Sequence, residues 1–181
     1  IESEIVTFLE YARSQDPIIV GEIGLKNGGN TLLFLHALPN VQHMLTMDIR
    51  INNEGRIRSL AKRGQKLTFI EGDTHQPVVR EKFARALRGK KFDLLFIDGD
   101  HSYEGVRQDF EDYKALVRDG GLIAFHDIVA DEATRTGSAP VGKCYAGGVH
   151  RFWAEIKGQY QHREFVESWE QSGFGIGVIT K

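Results

Sequence analysis

Cysteine is nearly absent: Cys144 stands alone among 181 residues. A single thiol cannot close an internal disulfide or build a Cys-rich zinc site, and thiol poverty suits a reducing cytoplasm, the expected location. Long hydrophobic runs are missing too. No stretch approaches the roughly 20 apolar residues that span a bilayer, so no membrane partner is expected. Charge of one sign is also lacking. With 23 Lys and Arg against 25 Asp and Glu, the net charge of −2 gives no electrostatic reason to expect nucleic acid. Prolines number four, and there is no Pro/Ser-rich linker, repeat or low-complexity tract, so 1–181 is expected to be a single domain. The sequence starts at Ile1 rather than Met and shows no signal-peptide pattern. Residues upstream, with any leader they carry, are expected to lie outside it.

What is present is a steady alternation of short apolar runs with longer amphipathic ones. Ile5, Phe8, Leu9 and Ala12 recur at helical spacing in residues 1–15. Pro17 to Gly24 reads as a strand ending in a Gly-rich turn, 29–38 as a helix with Leu32, Leu35 and Leu38 inward, and 43–48 as a second strand. A basic helix is expected over 53–63, where Arg56, Arg58, Lys62 and Arg63 form a solvated face. A third strand covers 67–70, a helix lies near 77–88, and the fourth strand is Phe92 to Ile97. Val106, Phe110, Tyr113 and Val117 predict a helix over about 102–117. Asp119-Gly120-Gly121 then reads as a tight turn into a fifth strand, 122–125. Residues 129–147 show no periodicity and read as a long loop, a feature usually functional in compact domains. Val149, Phe152, Trp153 and Ile156 mark a helix over 148–157, and 164–166 and 175–179 read as two final strands.

Strands that are apolar throughout and alternate with helices predict an α/β fold. The expected form is a Rossmann-like, doubly wound, mostly parallel seven-stranded sheet with helices on both faces. The last two strands lack an intervening helix, so the final one is expected to insert antiparallel. Ligands of such sheets bind outside the carboxyl ends of the strands, where the strand order reverses. Those ends are Glu22-Ile23-Gly24, Asp48, Glu71-Gly72-Asp73, Asp98-Gly99-Asp100-His101 and His126-Asp127, and every one carries acid.

The first turn, Glu22-Ile23-Gly24-Leu25-Lys26-Asn27-Gly28-Gly29, lets the backbone pass close to a ligand. It is not the dinucleotide fingerprint, because Lys26 stands where the second glycine of G-x-G-x-x-G belongs. That substitution argues against an NAD- or nucleotide-using enzyme, the first competing reading. Asp48 is placed to accept hydrogen bonds from ribose hydroxyls, and Asp73 to bind an adenine amino group. Singly, each acid reads equally well as a helix cap or turn former. On three consecutive strand ends, acids point to an adenosine-like ligand.

The ordered set of Glu22-Ile23-Gly24, Gly28-Gly29-Asn30-Thr31, Asp48, Gly72-Asp73, Phe96-Ile97-Asp98-Gly99-Asp100-His101-Ser102-Tyr103-Glu104 and Phe125-His126-Asp127 resembles class I S-adenosylmethionine-dependent methyltransferases. More narrowly, it is similar to the small bacterial group of cephalosporin-hydroxylase-like proteins and macrolide-sugar O-methyltransferases. The resemblance implies an S-adenosylmethionine cofactor beside Glu22, Gly24, Gly28, Asp48, Asp73 and Asp98. It also implies an O-methyltransferase acting on a small hydroxylated acceptor, a sugar or polyketide-like compound, and leaves room for a homodimer. In these relatives, acids at the fourth and fifth strand ends hold magnesium, which Asp98 and Asp127 match. His126 departs from that pattern, since related enzymes generally put a carboxylate there. The expected metal set is Asp98, His126 and Asp127, with magnesium or manganese as the ion. With no ion bound, the two carboxylates are expected to repel, raising one pKa or recruiting a salt bridge.

Transfer to a hydroxyl also needs a proton acceptor, and Asp100 and His101 are the rival bases. His101 is favoured, because an unperturbed imidazole titrates near pH 6.5, about where a base must work. The bland alternative makes His101 an exposed residue before the next helix, with Ser102 as cap and Glu104 serving the helix dipole. Lys143, Cys144 and Tyr145, beyond the fifth strand, are in position to contact substrate. Trp153 reads as core, with an acceptor wall as its lesser role. His36, His43, His75, His150 and His162 read as structural or surface residues. The second competing reading is a non-catalytic module that binds cofactor or partner without turnover.

Overall fold

Apolar side chains on alternating sides of buried strands build two cores, one on each face of the sheet. The computed structural model describes residues 1–138 and 145–181. Its helices and strands run α1 Glu2–Ser14, β1 Ile19–Ile23, α2 Gly29–Ala37, β2 His43–Asp48, α3 Glu54–Leu60, β3 Lys66–Glu71, α4 Pro77–Leu87 and β4 Phe92–Ile97. They continue with α5 Tyr103–Tyr113, β5 Val117–His126, α6 Glu132–Thr136, α7 Val149–Ile156, β6 Gln161–Phe165 and β7 Ile176–Thr180. The sheet order is β3-β2-β1-β4-β5-β7-β6. Neighbours from β3 through β5 pair in parallel, and β7 inserts antiparallel between β5 and β6. The doubly wound expectation and the antiparallel final strand are therefore both observed.

Strand β4 shows the alternation at work. Leu94 and Phe96 pack with Phe8 of α1, Phe34 and Leu35 of α2 and Ile57 of α3. Leu95 and Ile97 join the opposite core, with Phe83 of α4, Phe110 of α5 and Phe152 and Trp153 of α7. A strand flanked by two cores is apolar on both sides along Leu94–Ile97, which explains why that run lacks the period of a half-exposed strand, while Asp93 near its start pairs with Arg118. Trp153 belongs to this core: it is 1% exposed and donates from Nε1 to Glu164 Oε1 at 2.6 Å. No described helix is long and apolar enough to cross a membrane.

Helix α3 ends at Leu60, so Lys62 and Arg63 lie beyond it, and three further boundaries differ from the sequence reading, each for a local reason. Helix α5 stops at Tyr113, a single 3-10 turn covers Lys114–Leu116, and Val117 begins β5 instead of extending the helical stripe. The Asp119-Gly120-Gly121 stretch stays within β5, because Gly120 at φ +72° lets the strand bend while it bonds Lys181. Strand β6 spans Gln161–Phe165 rather than 164–166. As an edge strand it carries polar residues and lacks the apolar run that marks a central strand. Within the expected loop, Asp131 caps α6 by accepting from Thr134 N at 2.6 Å. Lys143 and Cys144 lie outside the described residues.

The strand order reverses between β1 and β4, which are neighbours although far apart in sequence. Connections leave this junction in opposite directions, so a crevice opens above the carboxyl ends of β1 and β4.

Candidate active site

The crevice at this switch point has a volume of about 690 Å³, within the usual range for small-molecule sites. Its walls come from the ends of β1 (Ile23, Gly24, Lys26), β2 (Asp48, Ile49), β3 (Gly72 to His75) and β4 (Asp98 to His101), with Tyr145 at one side. The turns at β1 and β4 touch. Gly24 sits at φ +94°, and a Cβ there would overlap the Asp98 carbonyl. Glycine at this point is thus a requirement of both backbone angle and space.

Asp48 stands on the wall with Oδ2 accepting from Lys26 N at 2.7 Å and Oδ1 from Arg50 N at 3.2 Å. The backbone fixes the carboxylate's orientation, and each oxygen keeps a lone pair for a further donor. Asp73 lies on the same wall and accepts from His75 N at 2.9 Å, a hydrogen bond that lowers its pKa. Ile49, 70% exposed, offers an apolar surface beside Asp48. No periodicity marks it, since it falls just past the end of β2.

Glu22 and Gly28 stand behind the wall rather than on it. Gly28 caps α2 at φ +81°, with the Ile57 side chain filling the place of a Cβ. Glu22 is fully buried, and its Oε2 accepts from the hydroxyls of Thr31 and Thr46 while Oε1 has no partner. Burial pushes its carboxyl up to about 8, against the lowering effect of the two threonines. A carboxyl raised from 4.5 to about 8 favours the native state while protonated, so its contribution is full below pH 4.5 and is lost as pH rises toward 8. Glu22→Gln, which keeps shape and polarity, is expected to flatten that decline. Urea unfolding of both proteins across pH 5–8 checks this. The curves should diverge by up to about 1.4 kcal/mol per pH unit, and parallel curves would refute the buried neutral acid.

At the far end of the crevice, Asp98 meets two imidazoles and a second carboxylate. His101 Nε2 lies 3.1 Å from Asp98 Oδ1, and its Nδ1 lies 3.5 Å from Asp127 Oδ2 and donates to the Tyr145 carbonyl. His126 Nδ1 lies 3.5 Å from Asp98 Oδ1 and 3.2 Å from Asp127 Oδ2. Asn30 Nδ2 donates to the other Asp98 oxygen at 3.3 Å. Asp127 accepts from Phe174 N at 2.9 Å and holds φ at +62°, a left-handed conformation that costs energy in a residue with a Cβ. One donor atom from each of Asp98, His101 and Asp127 lies within 4.8 Å of the others, a spacing compatible with one shared cation.

Of the two outcomes expected for metal-free carboxylates, a raised pKa or a salt bridge, the structure shows the salt bridge. Burial alone would raise the Asp98 pKa, but hydrogen bonds and positive charge from His101 and His126 hold it at about 2. Burial likewise opposes charge on His126, yet Asp127 and Asp98 bring its pKa up to about 10. Against the effect of burial, Asp98, the Tyr145 carbonyl and Asp127 also raise that of His101. The imidazoles therefore keep both acids compatible within one cluster. Asp100 is engaged differently: it lies over Gly105, and its Oδ1 accepts from Ser102 N at 2.8 Å. Ser102 caps α5 through Gly105 N at 2.9 Å, and Glu104 occupies the first turn, as the helix-cap reading expects.

His75, read from sequence as structural or surface, lines the crevice with Nε2 3.3 Å from Asp109 Oδ1. Asp109 is fully buried on α5, and burial raises its pKa. Only the packing of α5 beneath the β3 end brings these two residues together, so no local motif announces the pair.

A family model described as a methyltransferase domain matches residues 22–128, more than half of the chain. The uncharacterized protein R132 of Acanthamoeba polyphaga mimivirus is 30% identical over 119 residues, covering 62% of this chain and 52% of its own. The chain thus spans about half the length of that relative. Among solved structures, the O-methyltransferase TomG from Streptomyces achromogenes, in complex with SAM, covers 99% of this chain and 80% of its own, with 18% identity and a TM-score of 0.68. The MycE methyltransferase of the mycinamycin biosynthetic pathway, in complex with Mg and SAH, is 26% identical over 67% of this chain and 32% of its own, with a TM-score of 0.51. The family match runs from Glu22 past Asp127 and so takes in every acidic strand end around the crevice. The chain belongs to the methyltransferase domain family, with the class I S-adenosylmethionine-dependent methyltransferase fold.

Proposed function

We propose that the chain is an S-adenosylmethionine-dependent O-methyltransferase that modifies a hydroxyl of a small metabolite with the help of a divalent metal, magnesium or manganese. The observation that carries this reading is the double membership of Asp98. It lines the crevice and also anchors the His101, His126 and Asp127 cluster, so a cofactor site and a proton- and cation-handling site share one residue. The reading treats residues 1–181 as one cytoplasmic domain.

The residues present fit both groups. Gly24 lets the β1 turn close onto the β4 end at the crevice floor, Asp48 offers acceptor lone pairs to a ribose, Asp73 offers them to an adenine amino group, and Ile49 gives the ring an apolar neighbour. S-adenosylmethionine, when bound, supplies an electrophilic methyl group on a sulfonium sulfur. A divalent ion held by Asp98, His126 and Asp127 supplies positive charge that favours an ionised hydroxyl. His101 takes the hydroxyl proton at Nε2. Its Nδ1–H is held by the Tyr145 carbonyl and its Nε2–H by Asp98 Oδ1, both of which only accept, so Nε2 acts as the base once the proton it shares with Asp98 has left. Asp98 and Asp127 then stabilise the imidazolium that forms.

Asp48→Ala tests the cofactor assignment. Affinity for S-adenosylhomocysteine, measured by calorimetry, is expected to fall at least tenfold, equivalent to about 1.4 kcal/mol. Unchanged affinity would sink the ribose role of Asp48.

A further inference from the structure

We infer that the cation site is built for a first-row transition ion in preference to magnesium, an inference that rests on the metal-assisted reading above. Its basis is the donor set. Among the described residues, the three whose donor atoms lie within 4.8 Å of one another are Asp98, His101 and Asp127, so an imidazole joins the two carboxylates, and His126 Nδ1 faces both of them as well. Magnesium demands oxygen ligands and gives up water reluctantly, whereas imidazole nitrogen suits manganese, iron, cobalt, nickel and zinc. Within that series a mixed nitrogen and oxygen site binds more tightly toward copper, so affinity should climb from manganese through cobalt.

His126 adds a second imidazole: its Nδ1 is shielded from solvent and faces the two carboxylate oxygens at 3.5 and 3.2 Å, where it forms ion pairs while protonated and offers a nitrogen donor to an ion once deprotonated. Ligand atoms about 2.1 Å from a shared ion stand roughly 3 to 3.5 Å from one another, and His126 Nδ1 stands at that spacing from both carboxylate oxygens. The rest of the ring is held by apolar neighbours, with the Phe96 and Phe174 rings 6.2 and 6.3 Å from it, centroid to centroid. The Phe174 backbone N–H in turn fixes Asp127.

The test uses the whole chain, stripped of metal with a chelator and titrated separately with magnesium, manganese and cobalt(II) chloride. Manganese is expected to bind at least about tenfold more tightly than magnesium, and cobalt more tightly again. Pulsed electron paramagnetic resonance of bound manganese should show coupling to imidazole nitrogen. His126→Asp, which restores an oxygen ligand, should remove or halve that coupling and bring magnesium within a few-fold of manganese. Retained S-adenosylhomocysteine affinity certifies that the variant is folded. Should it fail to fold, the wild-type titrations and nitrogen coupling still decide. Magnesium binding as tight as manganese, or bound manganese without nitrogen coupling, would overturn the inference and leave metal assistance standing. Absence of binding by every ion would overturn both the inference and the metal part of the proposed function, with the cluster then acting as a salt-bridged base site. Affinity for S-adenosylhomocysteine would be untouched by either result.

Discussion

Gly24→Ala is expected to destabilise the protein by about 3 kcal/mol or more and to abolish binding of S-adenosylhomocysteine. Two costs combine at this position. The backbone sits at φ +94°, where a Cβ is disfavoured, and the added carbon would overlap the Asp98 carbonyl. A backbone carbonyl held by its own strand cannot move away cheaply, so the ends of β1 and β4 would have to separate, and the crevice opens at that contact. Gly29→Ala is the control. Nothing lies within 4 Å of a Cβ there, and the residue begins α2, so a near-neutral or slightly stabilising effect is expected. Urea unfolding and calorimetry on both variants provide the check. Near-native stability and affinity in Gly24→Ala would show that the β1–β4 contact does not build the site.

His101→Ala is expected to leave S-adenosylhomocysteine affinity within about twofold while cutting methyl transfer at least about 100-fold, the usual contribution of a positioned base. The variant removes the ring nitrogen paired with Asp98 but keeps the backbone hydrogen bond from Gly148 N to the His101 carbonyl, at 2.7 Å. The local chain path should therefore survive. Asp100→Asn gives the converse test. Asp100 already accepts from Ser102 N and lies over Gly105, so its role in the helix turn predicts a loss of stability rather than of chemistry. An active His101→Ala and an inactive, folded Asp100→Asn would transfer the base role to Asp100.

Strand β4 and the residues that follow it show why so much of the architecture was legible. The apolar run Leu94–Ile97, then Asp98-Gly99-Asp100-His101, encodes in one local stretch both a doubly covered strand and the polar end it delivers. The same logic recovered the strand order's consequence, acids gathered at one edge of the sheet. What stayed hidden depends on contacts between distant segments. The burial of Glu22 depends on Thr31 and Thr46, and His75 meets Asp109 only once α5 has packed under the sheet. The Tyr145 carbonyl that orients His101 lies 44 residues further along the chain. Edge strand β6 was misplaced because an exposed edge does not carry an apolar run. The pairing of Asp98 and Asp127 with two imidazoles realises the salt-bridge outcome rather than the raised pKa. Spacing along a chain could not choose between them, because it does not say which charges a third and fourth residue will neutralise.

The central claim is that the crevice at the β1–β4 switch point is a cofactor site. Calorimetric titration of the metal-free wild-type chain with S-adenosylhomocysteine tests it most directly. Binding in the micromolar range, about −8 kcal/mol, with one site per chain is the predicted result. A folded protein that takes up no S-adenosylhomocysteine would contradict the account, and Asp48, Asp73 and Asp98 would then require a different ligand.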